Sequence, residues 1–523
     1  MKQVVKTETE RVMHVSTTQK LPSRWLIAIM GTVLQITLGT IYAWSFFQNP
    51  LIARSAVIAG VPEKTKAFDE AKANVDTKKL SLAAAEEALA TAMASKKTKA
   101  ITEAEAVKVT AVSDLSASET ALTTAETELN SAKKNVWSNQ KVAWILSLAI
   151  CFLGLAAMLG GKLLPKYGPR KLAIAGAILY GSGWVLGGLA LSMNSIAFLY
   201  IGLGVIGGIG LGLGYVTPVA TAAKWFPDKK GFITGMVVMG FGLGALFMSK
   251  IFAPTIIKMF TDAATSITNW PMVFYVIGAV LGVPGLIAAL TFQNPPAGYV
   301  PEGYTPPAAS AASNAQDNLT VKQCLTSAPF WKMWFFFFCN ITAGIMFIGF
   351  QSPLLQDLLK AKDATMTTAA LAAAGATLIA ISSLFNGIGR FFWGGLSDKI
   401  GRAQAFRLIL GSQIVVFLLL TQVANPIIFS ILVCYILLCY GGGFGTAPSF
   451  VTTVFGPKVM AVVYGTLLTA WSTAGLLGPQ IAAYFKDTYG PKAANYTFIA
   501  GAIFLTLGLI VALMTTNKEY AKK

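Results

Sequence analysis

The chain contains a series of apolar stretches of about 20 residues, the length that an α-helix needs to cross a membrane. Hydrophobic residues make up 54% of the chain and charged residues 12%, a balance typical of a polytopic membrane protein. The pattern predicts an all-α membrane protein with twelve transmembrane helices. The predicted spans are 25–47, 141–161, 172–193, 196–222, 231–254, 271–291, 331–351, 367–392, 404–422, 427–446, 461–484 and 495–515.

The formal net charge is +18, and its distribution indicates a membrane topology rather than a nucleic-acid partner. Lys and Arg concentrate in the connections after the second, fourth and eighth spans, at 162–171, 224–230 and 399–402. The connections after the third and ninth spans contain neither residue. Because basic loops stay on the cytoplasmic side, we expect both termini in the cytoplasm and a multi-pass protein in the cell's inner (plasma) membrane.

Few side chains in the apolar spans are suited to chemistry. The only histidine is His14, in the polar N-terminal tail, and four of the five cysteines lie in apolar spans, where they are typical of small buried residues. The spans contain no nucleophile with a neighbouring base, no carboxylate pair and no metal-binding cluster. The sequence therefore predicts neither an enzyme nor a metal or cofactor site.

Local motifs occur twice, once in each half of the chain. A Phe-Gln-x-Pro-Leu motif closes the first span at Pro50 and the seventh at Pro353, and Gly161 and Gly394 begin similar turns after the second and eighth spans. This repetition predicts two parallel six-helix repeats. The expected divisions are a cytoplasmic tail, an N-terminal half, a cytoplasmic linker, a C-terminal half and a second cytoplasmic tail, at 1–24, 25–292, 293–330, 331–515 and 516–523.

An insertion at 63–137 lengthens the N-terminal half; it lacks glycine and proline and is dominated by Ala, Glu, Lys and Thr. Leucines and other apolar residues recur every seven positions over 68–89 and 115–129, and a basic turn at 95–99 separates the two runs. This pattern predicts an antiparallel helical hairpin outside the membrane, on the extracellular side, between the first and second spans. Two interpretations of the hairpin are open: it docks an unidentified protein partner, or it is a tolerated surface insertion. The second interpretation requires fewer assumptions.

One arginine lies well inside an apolar span. Arg390 lies in the eighth span, about 12 Å along the helix from Asp398, and no Asp or Glu occurs in the other spans. A guanidinium in the hydrocarbon layer costs at least about 2.5–3.5 kcal/mol, so it must face an interior or a wet cavity and needs an anionic partner. Asn386, four residues earlier on the same helix face, can hold one carboxylate together with it. We therefore expect the missing anion to be the substrate.

The turns after the second and eighth spans resemble the loop signature of the major facilitator superfamily. The motif residues are Gly161, Gly168 and Arg170 in the first copy and Gly394, Asp398, Gly401 and Arg402 in the second. Pro165 occupies the acidic position of the first copy, so a charge latch is expected only in the second. The resemblance implies the two-half fold of that superfamily and a gating role for these turns.

Within that superfamily the chain resembles the oxalate/formate antiporter family, which also contains bacterial monocarboxylate (lactate) transporters. The resemblance rests on motifs at 39–45, 224–231, 294–298 and 386–394, and it covers all predicted spans but not the insertion. It implies substrate-binding roles for Tyr42, Tyr215, Asn386, Arg390, Tyr440 and Phe444. For the aromatic residues alone, ordinary helix packing is the competing explanation.

One departure from the oxalate/formate pattern bears on the substrate. The oxalate exchanger pairs its arginine with a lysine in the eleventh helix. Trp471 stands at that position here, so it is the seventh residue expected in the substrate-binding site. One fixed positive charge suits one negative charge, so the resemblance implies a monocarboxylate such as lactate, pyruvate, formate or acetate rather than oxalate.

The sequence thus favours a secondary transporter that carries a small carboxylate anion by alternating access. Because the spans contain no acidic residue or histidine to carry a proton, two modes of coupling remain open. A proton enters with the anion, which is the mode that the monocarboxylate resemblance favours, or the anion exchanges for a counter-anion. The alternative from another class is a non-transporting membrane receptor that uses the outer hairpin, although a receptor has no need of a buried arginine.

Overall fold

The computed structural model describes residues 22–296, 299–304, 319–456 and 458–518. The expected N-terminal tail up to residue 21, most of the expected central linker and the end of the C-terminal tail lie outside the described residues. The described end of the linker contains a short helix at Val321–Leu325. A capping box between Thr320 and Gln323 begins this helix, so this part of the linker is not irregular.

The described part of the chain is helical and contains no strand; a single β-bridge joins Thr261 and Thr268. The helices up to residue 300 are α1 (Arg24–Gly39), α2 (Trp44–Ile58), α3 (Val61–Ser95), α4 (Thr98–Lys134), α5 (Asn139–Ser192), α6 (Ile196–Leu199), α7 (Gly208–Trp225), α8 (Lys230–Phe247), α9 (Ala253–Met259) and α10 (Trp270–Leu290). The later helices are α11 (Val321–Leu325), α12 (Ala328–Lys362), α13 (Thr368–Ile400), α14 (Arg402–Leu420), α15 (Pro426–Phe455), α16 (Met460–Leu467), α17 (Thr469–Tyr489) and α18 (Ala493–Leu513). Short 3₁₀ or π segments at Thr40–Ala43, Tyr200–Gly207, Met248–Phe252 and Gly490–Lys492 connect neighbouring helices.

Ten helical segments of the described residues are long and apolar enough to cross a membrane, which confirms an all-α, multi-pass architecture. The difference from twelve has two sources. Two predicted spans lie within α5, where two helices meet at the non-helical residue Gly168 and are counted once. The predicted span 461–484 is divided between α16 and α17 and is not among the ten. The count of twelve stays a prediction.

Helices continue past the repeated prolines that the sequence places at span ends. Pro50 lies inside α2, which ends at Ile58, and Pro353 lies inside α12, which ends at Lys362. Proline removes one backbone donor but does not by itself end a helix whose remaining turns are packed. The first predicted span is therefore longer than 25–47 and contains a 3₁₀ turn at Thr40–Ala43.

The predicted insertion forms two long helices, α3 and α4, joined at Lys96 and Lys97. Their pairing is antiparallel, since Lys78 binds Asp114 at 2.7 Å and Lys108 binds Glu86 at 3.0 Å. The seam contains the buried residues Val75, Ala85 and Leu129, of which Val75 and Leu129 lie in the predicted heptads. The predicted end at 137 is too far along the chain, because α4 ends at Lys134 and the buried Trp137 donates its N–H to Ser55 Oγ at 3.0 Å.

The two glycine turns occupy matching places in the fold. Gly168 and Gly401 have φ of +76° and +89°, a region that glycine adopts without strain, and each separates two consecutive membrane helices. Arg402 forms an ion pair with Asp398, whereas Arg170 donates to the carbonyl oxygen of Phe292 at 3.3 Å. The local contacts thus follow the sequence difference: only the second turn contains an acidic partner.

Candidate functional site

Arg390 lies inside α13 and is 2% exposed. Its Nε, Nη1 and Nη2 form no hydrogen bond, and no carboxylate of the described residues lies within ion-pair distance of it. The guanidinium instead lies over the ring of Phe444, with Cζ 5.2 Å from the ring centroid. A buried cation without hydrogen bonds is costly, by several kcal/mol, unless an anion compensates it.

Close packing between α13 and α15 positions the arginine. A Cβ atom on Gly445 would lie 2.3 Å from the carbonyl oxygen of Arg390, and one on Gly441 would lie 2.0 Å from that of Asn386. Only glycine permits this approach of the two backbones. Asn386 is buried, and its Oδ1, a hydrogen-bond acceptor, forms no hydrogen bond.

A hydrogen bond between two tyrosines joins the 3₁₀ turn after α1 to α15, the helix that packs against the arginine's helix. The hydroxyl groups of Tyr42 and Tyr440 are 2.7 Å apart, and both side chains are buried. Tyr42 lies in the 3₁₀ turn at Thr40–Ala43, where the helix axis departs from the regular α-helix. Tyr440 also contacts Phe444, the ring over which Arg390 lies, with ring centroids 5.2 Å apart.

Trp471 connects the aromatic residues of the two halves. Its ring centroid lies 4.7 Å from that of Phe444 and 5.3 Å from that of Tyr215, and it is fully buried. Edge-to-face contacts of this kind give the rings defined relative positions. The structure therefore brings together all seven residues that the sequence proposed: Tyr42, Tyr215, Asn386, Arg390, Tyr440, Phe444 and Trp471.

Several polar atoms of this cluster are buried and form no hydrogen bond. Besides the arginine nitrogens and the Asn386 oxygen, they are Tyr215 Oη, Tyr464 Oη and Trp471 Nε1. Buried polar groups in native proteins are nearly always paired, so an unpaired set around one cation indicates a binding site for a small polar ligand. The arrangement provides one positive charge and neutral hydrogen-bond donors within an aromatic lining.

The sequence interpretation missed two residues of this cluster. The ring of Phe241 in α8 lies 5.1 Å from that of Tyr42 and 5.2 Å from that of Tyr215. Tyr464 in α16 is buried, and its hydroxyl group, like that of Tyr215, forms no hydrogen bond. Phe241 had a weak signal in the sequence, since it stands between two glycines in a predicted span, whereas an isolated tyrosine such as Tyr464 has none.

The cluster contains no arrangement typical of an enzyme or a metal centre. The described residues include no group of three His, Cys, Asp or Glu side chains close enough to hold a metal ion. The five cysteines are free. Membrane-crossing helices that surround a buried, ligand-ready cation define a polytopic membrane transporter.

The chain belongs to the Major Facilitator Superfamily, whose family model matches residues 109–479. The oxalate:formate antiporter of Oxalobacter formigenes is 27% identical over 374 residues, which cover 70% of this chain and 80% of the antiporter. Apicoplast pyruvate carrier 1 of Toxoplasma gondii is 26% identical over 416 residues, 71% of this chain and 73% of the carrier. These matches confirm the resemblance to the oxalate/formate antiporter family, and the relatives are transporters rather than enzymes, as expected.

A solved structure shows the same fold. The bacterial homolog of the human lysosomal transporter Spinster, in an inward-facing and unoccupied conformation, matches with a TM-score of 0.54 at 15% identity. The match covers 93% of this chain and 96% of that one. At this identity the likeness supports the fold alone.

Proposed function

We propose that the protein is a secondary active transporter of small carboxylate anions, with Arg390 as the group that binds the carboxylate. The observation that carries this proposal is the buried guanidinium, which has no hydrogen bond and no carboxylate partner among the described residues. A planar guanidinium binds a carboxylate through two parallel hydrogen bonds, and Asn386 on the same helix face can add a third. The bound anion thereby supplies the negative charge that balances Arg390.

The preferred substrates are monocarboxylates such as lactate, pyruvate, formate or acetate. Trp471, which lines the cluster, adds no second positive charge, so a dianion such as oxalate would leave one carboxylate without a cation. The names of the two relatives mention oxalate, formate and pyruvate, which supports a small carboxylate in general. An oxalate/formate type of anion exchange is the alternative.

The proposed transport cycle uses twelve spans in two six-helix halves, with both termini in the cytoplasm of a plasma-membrane protein. The matching positive-φ turns at Gly168 and Gly401 support the two-half division. In the described state the halves are bonded to each other at the end near α3 and α4: the backbone N–H groups of Asn139 and Gln140 donate to Asp487 at 3.1 and 2.9 Å. Separation of these groups would open that side of the site.

We expect the transport to be coupled to protons. A proton that enters together with the anion balances the charge of that anion, so the net load that crosses the membrane is uncharged. In vesicles reconstituted with the purified protein, lactate uptake should rise when the outside is acidified, and the lumen should become more acidic during uptake. Labelled lactate measures the uptake, and a pH-sensitive dye in the lumen measures the acidification.

Protein-free vesicles and a protonophore provide the controls for this experiment. Accumulation that persists after the pH gradient has been collapsed, but requires a preloaded counter-anion, would contradict symport. That result would favour exchange of the kind that the name of the Oxalobacter relative describes.

We propose that the α3–α4 hairpin stands outside the membrane, on the extracellular side, and is not part of the transport mechanism. Its ends lie close together, since Trp137 bonds to Ser55 just before α3 begins. Replacing residues 63–134 with a short Gly/Ser linker should therefore leave lactate uptake within about twofold of the wild-type rate. The measurement is initial uptake normalised to the amount of protein in the vesicles.

The deletion retains Trp137, which is buried, and so does not disturb the body of the protein. A deletion variant that reaches the membrane but does not transport would show that the hairpin takes part in the mechanism. Such a result would also strengthen the alternative of a receptor that uses the outer hairpin.

A further inference from the structure

Phe241 belongs to the aromatic lining of the candidate site and is connected to the arginine through two other rings. It is fully buried, and its ring contacts Tyr42, Tyr215 and Trp471, the last with centroids 5.7 Å apart. Arg390 contacts Phe444, Phe444 contacts Trp471, and Trp471 contacts Phe241. Along this series of contacts, Phe241 stands at the far end from the guanidinium.

Glycine contacts fix the backbone that carries Phe241. A Cβ atom on Gly242 would lie 2.9 Å from Cα of Gly387 in the opposite half. On the other side of α8, a Cβ atom on Gly39 would lie 2.0 Å from the carbonyl oxygen of Phe241, and one on Gly244 would lie 2.3 Å from the carbonyl carbon of Gly39. Because α8 is packed between two backbones, the phenyl ring has little freedom to withdraw.

A serine of the opposite half holds the same turn of α8. The Ser383 hydroxyl donates to the carbonyl oxygen of Gly242 and accepts from the N–H of Leu246 at 3.2 Å. These two backbone groups are four residues apart, the pair that a regular helix joins directly. Ser383 lies one turn before Asn386 on α13, so the helix that supplies the carboxylate-binding residues also fixes the turn that carries Phe241.

We propose that Phe241 sets the maximum length of the substrate's carbon chain. With the carboxylate held by Arg390, the remainder of the anion extends along Phe444 and Trp471 toward Phe241, which stops it. This inference rests on the proposed function, since it requires a carboxylate at Arg390. Residues of both halves are needed for this limit on chain length. Gly387 and Ser383 hold the helical turn that contains Phe241, and they do so only when the two halves are in contact.

The test measures uptake of labelled straight-chain monocarboxylates, from acetate to hexanoate, by vesicles containing wild-type protein, Phe241→Ala or Phe241→Leu. One methylene in an apolar pocket changes kcat/KM by about tenfold or more. We expect Phe241→Ala to raise the ratio of pentanoate to acetate uptake by about tenfold or more, and Phe241→Leu to raise it less. Phe274→Ala is the matched control, because Phe274 is equally buried but packs against Phe47 and Trp184.

The two proposals fail in different ways. If the wild-type protein carries none of the monocarboxylates, the proposed function is wrong. If the wild-type protein carries acetate, and the ratio of pentanoate to acetate uptake is the same in wild type and Phe241→Ala, then Phe241 does not set the chain length. Should Phe241→Ala not yield folded protein, the ratio in the milder Phe241→Leu decides, and an unchanged ratio there would overturn the inference.

Discussion

Replacing Arg390 with lysine should lower carboxylate uptake by about tenfold or more, and replacing it with glutamine by about a hundredfold or more. Lysine retains the charge but offers no planar pair of donors to the carboxylate. Glutamine removes both the charge and the planar pair of donors, so the carboxylate loses its cationic partner. Initial uptake of labelled lactate into vesicles, normalised to protein content, measures the loss.

Arg407→Lys is the matched control for these variants. Arg407 lies in the same half, on α14, but donates to the backbone carbonyl oxygens of Ala512 and Thr515, at 3.2 and 2.9 Å, instead of facing the site. Its lysine variant should therefore transport at nearly the wild-type rate. If Arg390→Lys takes up lactate at the wild-type rate, the planar pair of guanidinium donors does not bind the substrate.

Gly445→Ala should also cause a large loss, although it removes no binding group. The added methyl group would lie 2.3 Å from the carbonyl oxygen of Arg390, so α13 and α15 would have to move apart and the arginine with them. Overpacking of this kind costs about 1–3 kcal/mol of stability. We expect a lower melting temperature in detergent, together with a loss of uptake of about tenfold or more, since a displacement of about 1 Å at a reactive or binding group has effects of that size.

Gly395→Ala separates this effect from the general cost of losing a glycine. Gly395 lies on α13, five residues after Arg390, and an added Cβ atom there would meet no atom within 4 Å. Alanine is the better helix former, so this variant should be as stable as wild type or more so. Equal stability and uptake in Gly445→Ala and Gly395→Ala would show that the close approach of the two helices does not position Arg390.

The sequence was sufficient to predict the residues whose role follows from local spacing or from a charge in an apolar span. Arg390 and Asn386 share a helix face, and a buried cation needs a partner wherever the helix is placed. The paired glycine turns at Gly168 and Gly401 were predictable in the same way, because a positive φ leaves a recognisable residue type. The aromatic candidates depended on the resemblance, since their spacing alone fits ordinary packing.

What the sequence did not predict depends on contacts between distant segments. Phe241 reaches the site because Gly39 and Gly387, from different helices, let α8 approach on both sides, and no local pattern contains that information. The end of the insertion was misplaced at 137 because the burial of Trp137 depends on its bond to Ser55. The continuation of α2 past Pro50 likewise reflects packing of the later turns rather than local preference.

Uptake of labelled lactate and labelled oxalate by the wild-type protein in reconstituted vesicles tests the central claim most directly. The claim is that one buried guanidinium binds one carboxylate, and that the protein carries this anion across the membrane. The guanidinium has no hydrogen bond within the protein. The account predicts lactate uptake well above that of protein-free vesicles, and faster than oxalate uptake at the same concentration. Absence of lactate uptake, or a preference for oxalate over lactate, would contradict it.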